Sequence, residues 1–355
     1  MFDNFSGSPK ALRTVLQKLL DRGIRVDLVT SATEGALSGL AGHPNLKLIT
    51  YKYTFSGNKF LTSLRYLRAQ AVTFFIALKY LSEKDTVFYI NTILPVMPAL
   101  AGRMTGKRVV YHYHENAYAR GAFYRFLCGC MQHLASHIVC VSGYQRSFLK
   151  RKDRVSVVPN ALPDNFVDKL KINTFDGCKR KNVLLVSSLK RYKGIDEFFR
   201  LAESLPQYSF TLVVGEEQSL ITKWMADRNL HSPENLKVFA CQKDVAPFYS
   251  GASVVLNLSN KEYIIETFGL TVLEALSFGL PVIVPTVGGV SELVEDGVNG
   301  YKIDVQNLDR ISECISKILE NKDLYEKLSR NALKVAEKYN AEEMADKIYS
   351  LLKNK

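Results

Sequence analysis

The stretch KEYIIETFGLTVLEALSFGLPVIVPTVGGVSELVEDGVNG (residues 261–300) decides how this chain is read. Thr267-Phe268-Gly269 reads as a turn. A helix follows from about Gly269 to Gly279, with Leu270, Leu273, Leu276 and Leu280 at helical spacing. A helix entered this way presents unpaired backbone N–H groups and a positive dipole end, which suits a diphosphate. Glu274 lies about one and a half turns in, within reach of a ribose attached to that diphosphate. Glu266 precedes the helix. Two carboxylates beside an anion site are unfavourable for phosphate itself, so they suit hydroxyls, and a nucleotide sugar carries hydroxyls at both ends. By spacing alone, the same two acids also read as solvated helix-terminus carboxylates.

Around this stretch, strand-like runs at 182–188, 209–215, 235–241, 253–259, 281–285 and 301–305 alternate with helical ones at 194–204, 217–230, 269–279, 307–321 and 323–354. The first half repeats the scheme, with strands at 24–30, 46–52, 86–92, 108–114, 137–142 and 155–160 and helices at 9–22, 59–82, 95–105 and 120–135. Val/Ile-rich runs separated by helix-length segments predict βαβ units and parallel sheets. Residues 161–181 are rich in Pro, Asp, Asn and Gly and lack an apolar period, so the linker is placed there. The predicted fold is α/β, with two Rossmann-like doubly wound domains facing across a crevice. The boundaries are 1–165 for the first domain, 166–181 for the linker, 182–335 for the second domain and 336–355 for a terminal helix.

With 355 residues, 47% hydrophobic and 23% charged, the composition is that of a globular protein and excludes collagen, a disordered tail and a disulfide-stapled mini-protein. The run AQAVTFFIAL (69–78) is about half the ~20 residues a membrane-spanning helix needs. Asp3 and Pro9 fall where a signal peptide would be apolar. The six cysteines are scattered, and the close pair Cys128-Gly-Cys130 lacks the further ligands of a zinc site, so a reduced cytoplasmic protein is expected. Residues 1–170 hold 23 Lys+Arg against 10 Asp+Glu, whereas 171–355 hold 24 against 25. The positive field of the first half points to an anionic surface or an acidic partner. The chain opens on a loop and helix where a parallel domain ordinarily has a buried strand. That predicts that Met1 is an internal start, with about ten residues before it.

The stretch at 261–300 resembles the glutamate-x7-glutamate motif of the retaining glycosyltransferases of family 4, which have the GT-B fold, and PVIVPTVGGVSELVEDGVNG matches that family's usual continuation. The resemblance covers nearly the whole chain. It implies that Glu266 binds hydroxyls of the donor sugar, that Glu274 binds the nucleotide ribose, and that Phe268, Gly269 and Leu270 form the turn whose amides face sugar and diphosphate. In VSSLKRYKG (186–194), Lys193 matches the family lysine that neutralises the departing diphosphate. Ser188 stands where the family often has arginine, so Lys190 or Arg191 supplies the missing charge or Lys193 acts alone. Read without the family, these cations are a solvated basic loop. His114, at the end of RVVYHYH (108–114), resembles the histidine beside the transferred sugar, while His112 is expected in the core. Gly7 and Ser8 resemble the family's glycine-rich loop facing the donor phosphates.

The helical stretch 59–81 mixes Lys and Arg with aromatics. It reads either as a membrane-interface helix or as a core-packed helix with a basic outer face, and RSFLKRKDR (146–154) adds a second basic cluster. The resemblance implies that the terminal helix crosses back onto the first domain. The expected activity is retaining, metal-independent transfer of a hexose from a UDP- or GDP-sugar bound by the second domain to a glycan or lipid-linked acceptor bound by the first, in cell-envelope polysaccharide synthesis. No cofactor, metal or nucleic acid is expected, and a cytoplasmic location with peripheral contact to the inner face of the plasma membrane is. The rival readings are a sugar-nucleotide epimerase of the same fold and a non-catalytic sugar-nucleotide-binding subunit. A dinucleotide oxidoreductase is poorly supported, since no G-x-G-x-x-G follows a first strand.

Overall fold

The computed structural model describes residues 3–54, 56–167 and 177–353. The chain forms two compact units, Met1–Ala161 with Ala341–Lys355, and Leu162–Asn340. In the first unit the order is α1 (Gly7–Asp21), β1 (Val26–Ser31), β2 (Leu46–Tyr51), α2 (Lys59–Leu78), β3 (Val87–Asn91), α3 (Met97–Met104), β4 (Arg108–Tyr113), α4 (Ala122–Leu134), β5 (His137–Cys140), α5 (Gly143–Ser147) and β6 (Val155–Val157). Strands β3-β4-β5-β6 make one parallel sheet and β1-β2 a separate parallel pair. Val109 to Tyr113 of β4 are all buried, as a central strand covered on both faces requires. Asn58 caps α2, its side chain accepting the N–H groups of Phe60 and Leu61.

The second unit runs α6 (Asp164–Val167), β7 (Asn182–Ser187), α7 (Ile195–Ser204), β8 (Ser209–Val214), α8 (Gln218–Ala226), β9 (Leu236–Phe239), α9 (Ala246–Ser250), β10 (Val254–Leu256), α10 (Leu270–Ser277), β11 (Val282–Val284), β12 (Gly300–Lys302), α11 (Leu308–Glu320) and α12 (Lys322–Ala336). Its six-stranded parallel sheet has the order β12-β11-β10-β7-β8-β9. The order reverses between β7 and β10, and in open α/β sheets ligands bind beyond the carboxyl ends of the strands at such a switch point.

The stretch read as one helix over 323–354 is two, α12 and α13 (Ala341–Lys353). At the end of α12 the N–H groups of Lys338 and Tyr339 close short bonds to Val335 and Ala336 (3.2 and 3.0 Å), and the Tyr339 ring packs edge-on against Phe268, so the chain turns. α13 lies on the first unit, where Met344, Ala345 and Ile348 are buried, its cluster sharing Val15, Leu19, Val110 and Val139. Salt bridges from Arg22 to Glu342 and Asp346 seal its edge. Of the linker read at 166–181, residues 168–176 lie outside the described residues. Cys178 is buried in the second unit's core, and a side chain at Gly177 would strike Tyr325. Gly7 and Ser8, read as a loop, are the first turn of α1. The outer face of α2 is mainly apolar, with Phe60, Leu64, Leu67 and Phe75 exposed, and carries Lys59 and Arg68 beside them.

Candidate functional site

In the second unit the residues converge at the switch point. The loop after β7 ends in a tight turn, Arg191–Lys193, followed by Gly194 at φ +71°, where a Cβ would strike the Leu258 carbonyl. The Asn260 N–H donates to the Tyr192 carbonyl at 2.7 Å, stitching this loop to the segment after β10. That places the Lys193 ammonium on Glu266 Oε1. Ser259 Oγ donates to the same oxygen at 2.8 Å, and Asn257 Nδ2 donates to Oε2 at 3.3 Å. The Glu266 backbone is clamped from the other side. The Gly289 N–H donates to its carbonyl at 2.8 Å, and Gly288, at φ +110°, would with a Cβ come within 2.7 Å of it.

Burial raises the Glu266 carboxyl, but the Lys193 charge and the hydrogen bonds from Lys193, Ser259 and Asn257 outweigh it and leave it below the usual carboxylate range. Burial likewise lowers Lys193, and the Glu266 charge more than reverses that. The result is a half-covered ion pair at neutral pH.

Gly269, at φ +97°, turns the chain into α10, and a Cβ there would meet the Val290 side chain at 2.6 Å. Phe268 is buried, so its side chain is not offered to a ligand. The Leu270 and Thr271 N–H groups open the helix without intrahelical acceptors. Glu274, one turn on, is buried, and its Oε2 accepts the Tyr249 hydroxyl at 2.6 Å. Burial, reinforced by Glu274, holds Tyr249 protonated and donating. Lys190 is exposed, and its N–H donates to the Ser188 carbonyl at 2.7 Å in a tight turn. Arg191 rests over the Tyr263 ring at 5.2 Å. Lys193 is thus the cation of this loop that meets Glu266.

In the first unit, His114 follows β4 and its Nε2 meets Asn91 Oδ1, at the end of β3, at 2.8 Å. Asn91 Nδ2 also reaches the Ser8 carbonyl at 3.4 Å, so Ser8 shares this site. His112 lies behind with its ring 4.1 Å from that of His114, and the Tyr89 hydroxyl meets its Nδ1 at 2.6 Å. Burial pushes His112 down to about 3, and burial together with His112 holds His114 well below the ordinary histidine value. Both rings are neutral at pH 7. The Glu115 carboxylate accepts the N–H groups of Ile93 (3.2 Å) and His114 (3.4 Å), and burial raises it against these bonds. Thr92, the residue directly after Asn91, sits at φ +72° with its hydroxyl buried and unpaired, a strained position of the kind that gathers at functional sites. Among the described residues no group of three or more His, Cys, Asp or Glu could hold a metal ion.

Asn257, Ser259, Tyr249 and Asn91 are site residues that sequence reasoning passed over. The signal was present in VVLNLS (254–259) and YIN (89–91), where polar residues interrupt the apolar ends of strands.

Two parallel α/β units, one with an acid–lysine pair at its switch point and the other with a neutral histidine at a strand end, define a two-domain protein of the GT-B type. The family model for glycosyl transferases group 1 matches residues 168–335, and that for glycosyltransferase family 4 matches residues 5–166. Between them they take in nearly the whole chain, and the chain belongs to the family 4 glycosyltransferases. An uncharacterized glycosyltransferase of Haemophilus influenzae is 24% identical over 221 residues, which is 61% of this chain and 60% of that protein. The poly(glycerol-phosphate) alpha-glucosyltransferase of Bacillus subtilis is 27% identical over 168 residues, 46% of this chain and 24% of its own length. The chain thus spans less than two thirds of the curated relatives it matches here. Anabaena HepE, solved in complex with UDP and glucose, superposes with a TM-score of 0.78 at 19% identity, covering 100% of this chain and 99% of that one. No helix among the described residues is long and apolar enough to cross a membrane.

Proposed function

We propose that the protein transfers a hexose from a UDP- or GDP-sugar to a glycan or lipid-linked acceptor, with retention of configuration, in cell-envelope polysaccharide synthesis. The half-buried Glu266–Lys193 pair at the switch point, beside the opening turn of α10, carries this reading. Glu266 accepts hydroxyls of the donor sugar, and Glu274 those of the ribose. The backbone of Phe268, Gly269 and Leu270 faces the diphosphate. Lys193, with Ser188 and Lys190 in the same loop, stabilises the charge that grows on the leaving group. His114, neutral and oriented by Asn91, sits beside the transferred sugar, with Gly7 and Ser8 facing the donor phosphates. HepE, crystallised with UDP and glucose, supports a UDP-sugar donor, and the B. subtilis relative, named for poly(glycerol-phosphate), supports a polymeric acceptor.

The sugar C1–O bond to phosphate breaks, and a C1–O bond to the acceptor forms on the same face. The acceptor's hydroxyl proton passes to the departing phosphate oxygen. The protein's part is positioning and stabilisation of the leaving diphosphate, with no metal and no other cofactor.

The test is to incubate purified protein with a panel of nucleotide sugars, with and without an envelope glycan fraction, and to measure release of nucleoside diphosphate. Release that depends on the acceptor, is unchanged by chelator and is lost in Glu266→Ala at unchanged melting temperature is expected. Donor isomerisation without acceptor would instead indicate the epimerase. Donor binding with no turnover would indicate a binding subunit.

A further inference from the structure

We infer that the face formed by α2 and α4 of the first unit is a docking surface for a bilayer of anionic phospholipid. Phe60 (79% exposed), Leu64, Leu67 (62%) and Phe75 (65%) stand outward on α2. At 3.6 residues per turn they fall within about 80° of arc. Ala69, Gln70, Thr73 and Ala77 bury the opposite side. The helix is therefore mainly apolar where it meets solvent, with Lys59 and Arg68 flanking the stripe, the reverse of what a core-packed surface helix needs. Gln70 ties α2 to the loop after β3, its Oε1 accepting the Val96 and Met97 N–H groups and its Nε2 donating to the Leu94 carbonyl, so the helix cannot turn to hide that stripe.

The patch continues onto α4. Tyr66 of α2 meets Phe123 of α4 edge-on at 5.9 Å, and Phe126, 66% exposed, follows one turn later. On the same helix, Arg125 and His133 line a recess of about 360 Å³ together with Lys150 and Arg151. Among the described residues, Arg125, Lys150 and Arg151 form no salt bridge to an acid.

Apolar side chains rimmed by cations fit a membrane interface, where rings and leucines enter the acyl boundary and cations meet headgroup phosphates. The net positive charge of residues 1–170 complements an anionic leaflet. A second copy of the chain is the poorer occupant, because a two-fold contact would set these unpaired cations against themselves.

Co-sedimentation of the full chain with vesicles tests this at ~0.1 M salt. Equimolar phosphatidylglycerol and phosphatidylcholine should carry the protein down. Phosphatidylcholine alone should not, and high salt should release it. Inorganic phosphate at the same concentration as the anionic lipid, in matched ionic strength, should leave binding intact if the headgroup in its bilayer is the ligand. Lys150→Gln with Arg151→Gln removes two surface charges and should weaken binding about thirty-fold. Phe60→Ser with Phe126→Ser should weaken it at least ten-fold. All four side chains are on the surface, so melting temperatures should hold. Were a pair to misfold, the lipid and salt dependence of the unaltered protein still decides. Equal binding to both vesicle types, no binding to either, displacement by phosphate, or a dimer in sedimentation equilibrium that Phe60→Ser with Phe126→Ser dissolves would each overturn the inference.

Discussion

Replacing Lys193 with Met strips the Glu266 carboxylate of its cation while leaving its two neutral donors. The two side chains are 24% and 12% exposed. Removing one partner of a well-buried pair costs about 3–5 kcal/mol, because a charge is left desolvated. Ser259 and Asn257 remain and the pair is partly open, so Lys193→Met should fall at the lower end, about 3 kcal/mol. In a Glu266→Gln background no carboxylate remains to strand, and the same change should cost about 1 kcal/mol. The double-mutant cycle should therefore show a coupling of about 2 kcal/mol. The chain's single tryptophan, Trp224, lies on α8 of the second unit, so urea unfolding followed by its fluorescence reads the stability of the unit that holds the pair. The four proteins should share one m-value, showing that only stability has changed.

The sign with pH follows from Glu266. Its folded value lies below the ordinary carboxyl value of 4.5, so its contribution is complete above 4.5 and fades as the pH falls through the folded value. The coupling seen at pH 7 should shrink in acid. If the two changes add to within about 0.5 kcal/mol at pH 7, the pair carries no energy and the electrostatic account of Glu266 is wrong. The same Lys193 substituted by Ala should lower kcat by on the order of 10²–10³ for the transfer proposed above.

Two further outcomes test other parts of the molecule. Tyr249→Phe deletes the hydroxyl that holds Glu274, a charge-assisted bond of about 1.5–3 kcal/mol. The KM for nucleotide sugar should rise roughly ten-fold with kcat within two-fold, and an unchanged KM would remove Glu274 from the ribose site. His112 is neutral in the folded protein down to about 3, so the unfolded chain takes up a proton first as the pH falls below 6.5. Stability should drop with acidification through that window, by about 2 kcal/mol at pH 5 from this residue. His112→Asn should flatten the slope by close to one proton, and an identical slope would show that His112 is protonated in the fold.

The strands of this chain are legible because each is a short apolar run between helix-length segments. RVVYHY sits in the middle of a sheet and needs no partner to be recognised. Glu266, Glu274 and the glycine turn are legible for a different reason: a helix entry is a local event, written in consecutive residues. What holds them is not local. Ser259 and Asn257 reach Glu266 only because β10 is short and ends before them, and Tyr249 reaches Glu274 from 25 residues away. Composition alone gives α2 both cations and aromatics, and only the packing of Gln70 against the loop after β3 decides which of them face water. The break after Ala336 escapes a periodicity reading because α12 and α13 are both amphipathic, so the apolar repeat runs on past the turn.

Because α13 covers α1 and the sheet of the first unit, the two halves differ in how they could be dissected. Residues 162–340 form one continuous length and could be excised with a single cut at each end. The other half is built from two separated lengths of the chain. A fragment stopping at Ala161 would lose the cover that Met344 and Ile348 provide, worth about 1.5–3 kcal/mol for each such side chain, and would leave Val15, Leu19, Val110 and Val139 open to solvent on that flank. Residues 341–353 are synthesised after residues 162–340, so this half can complete its packing only once the other has been made, and a peptide of residues 341–353 added to the shortened fragment should restore what the cut removed.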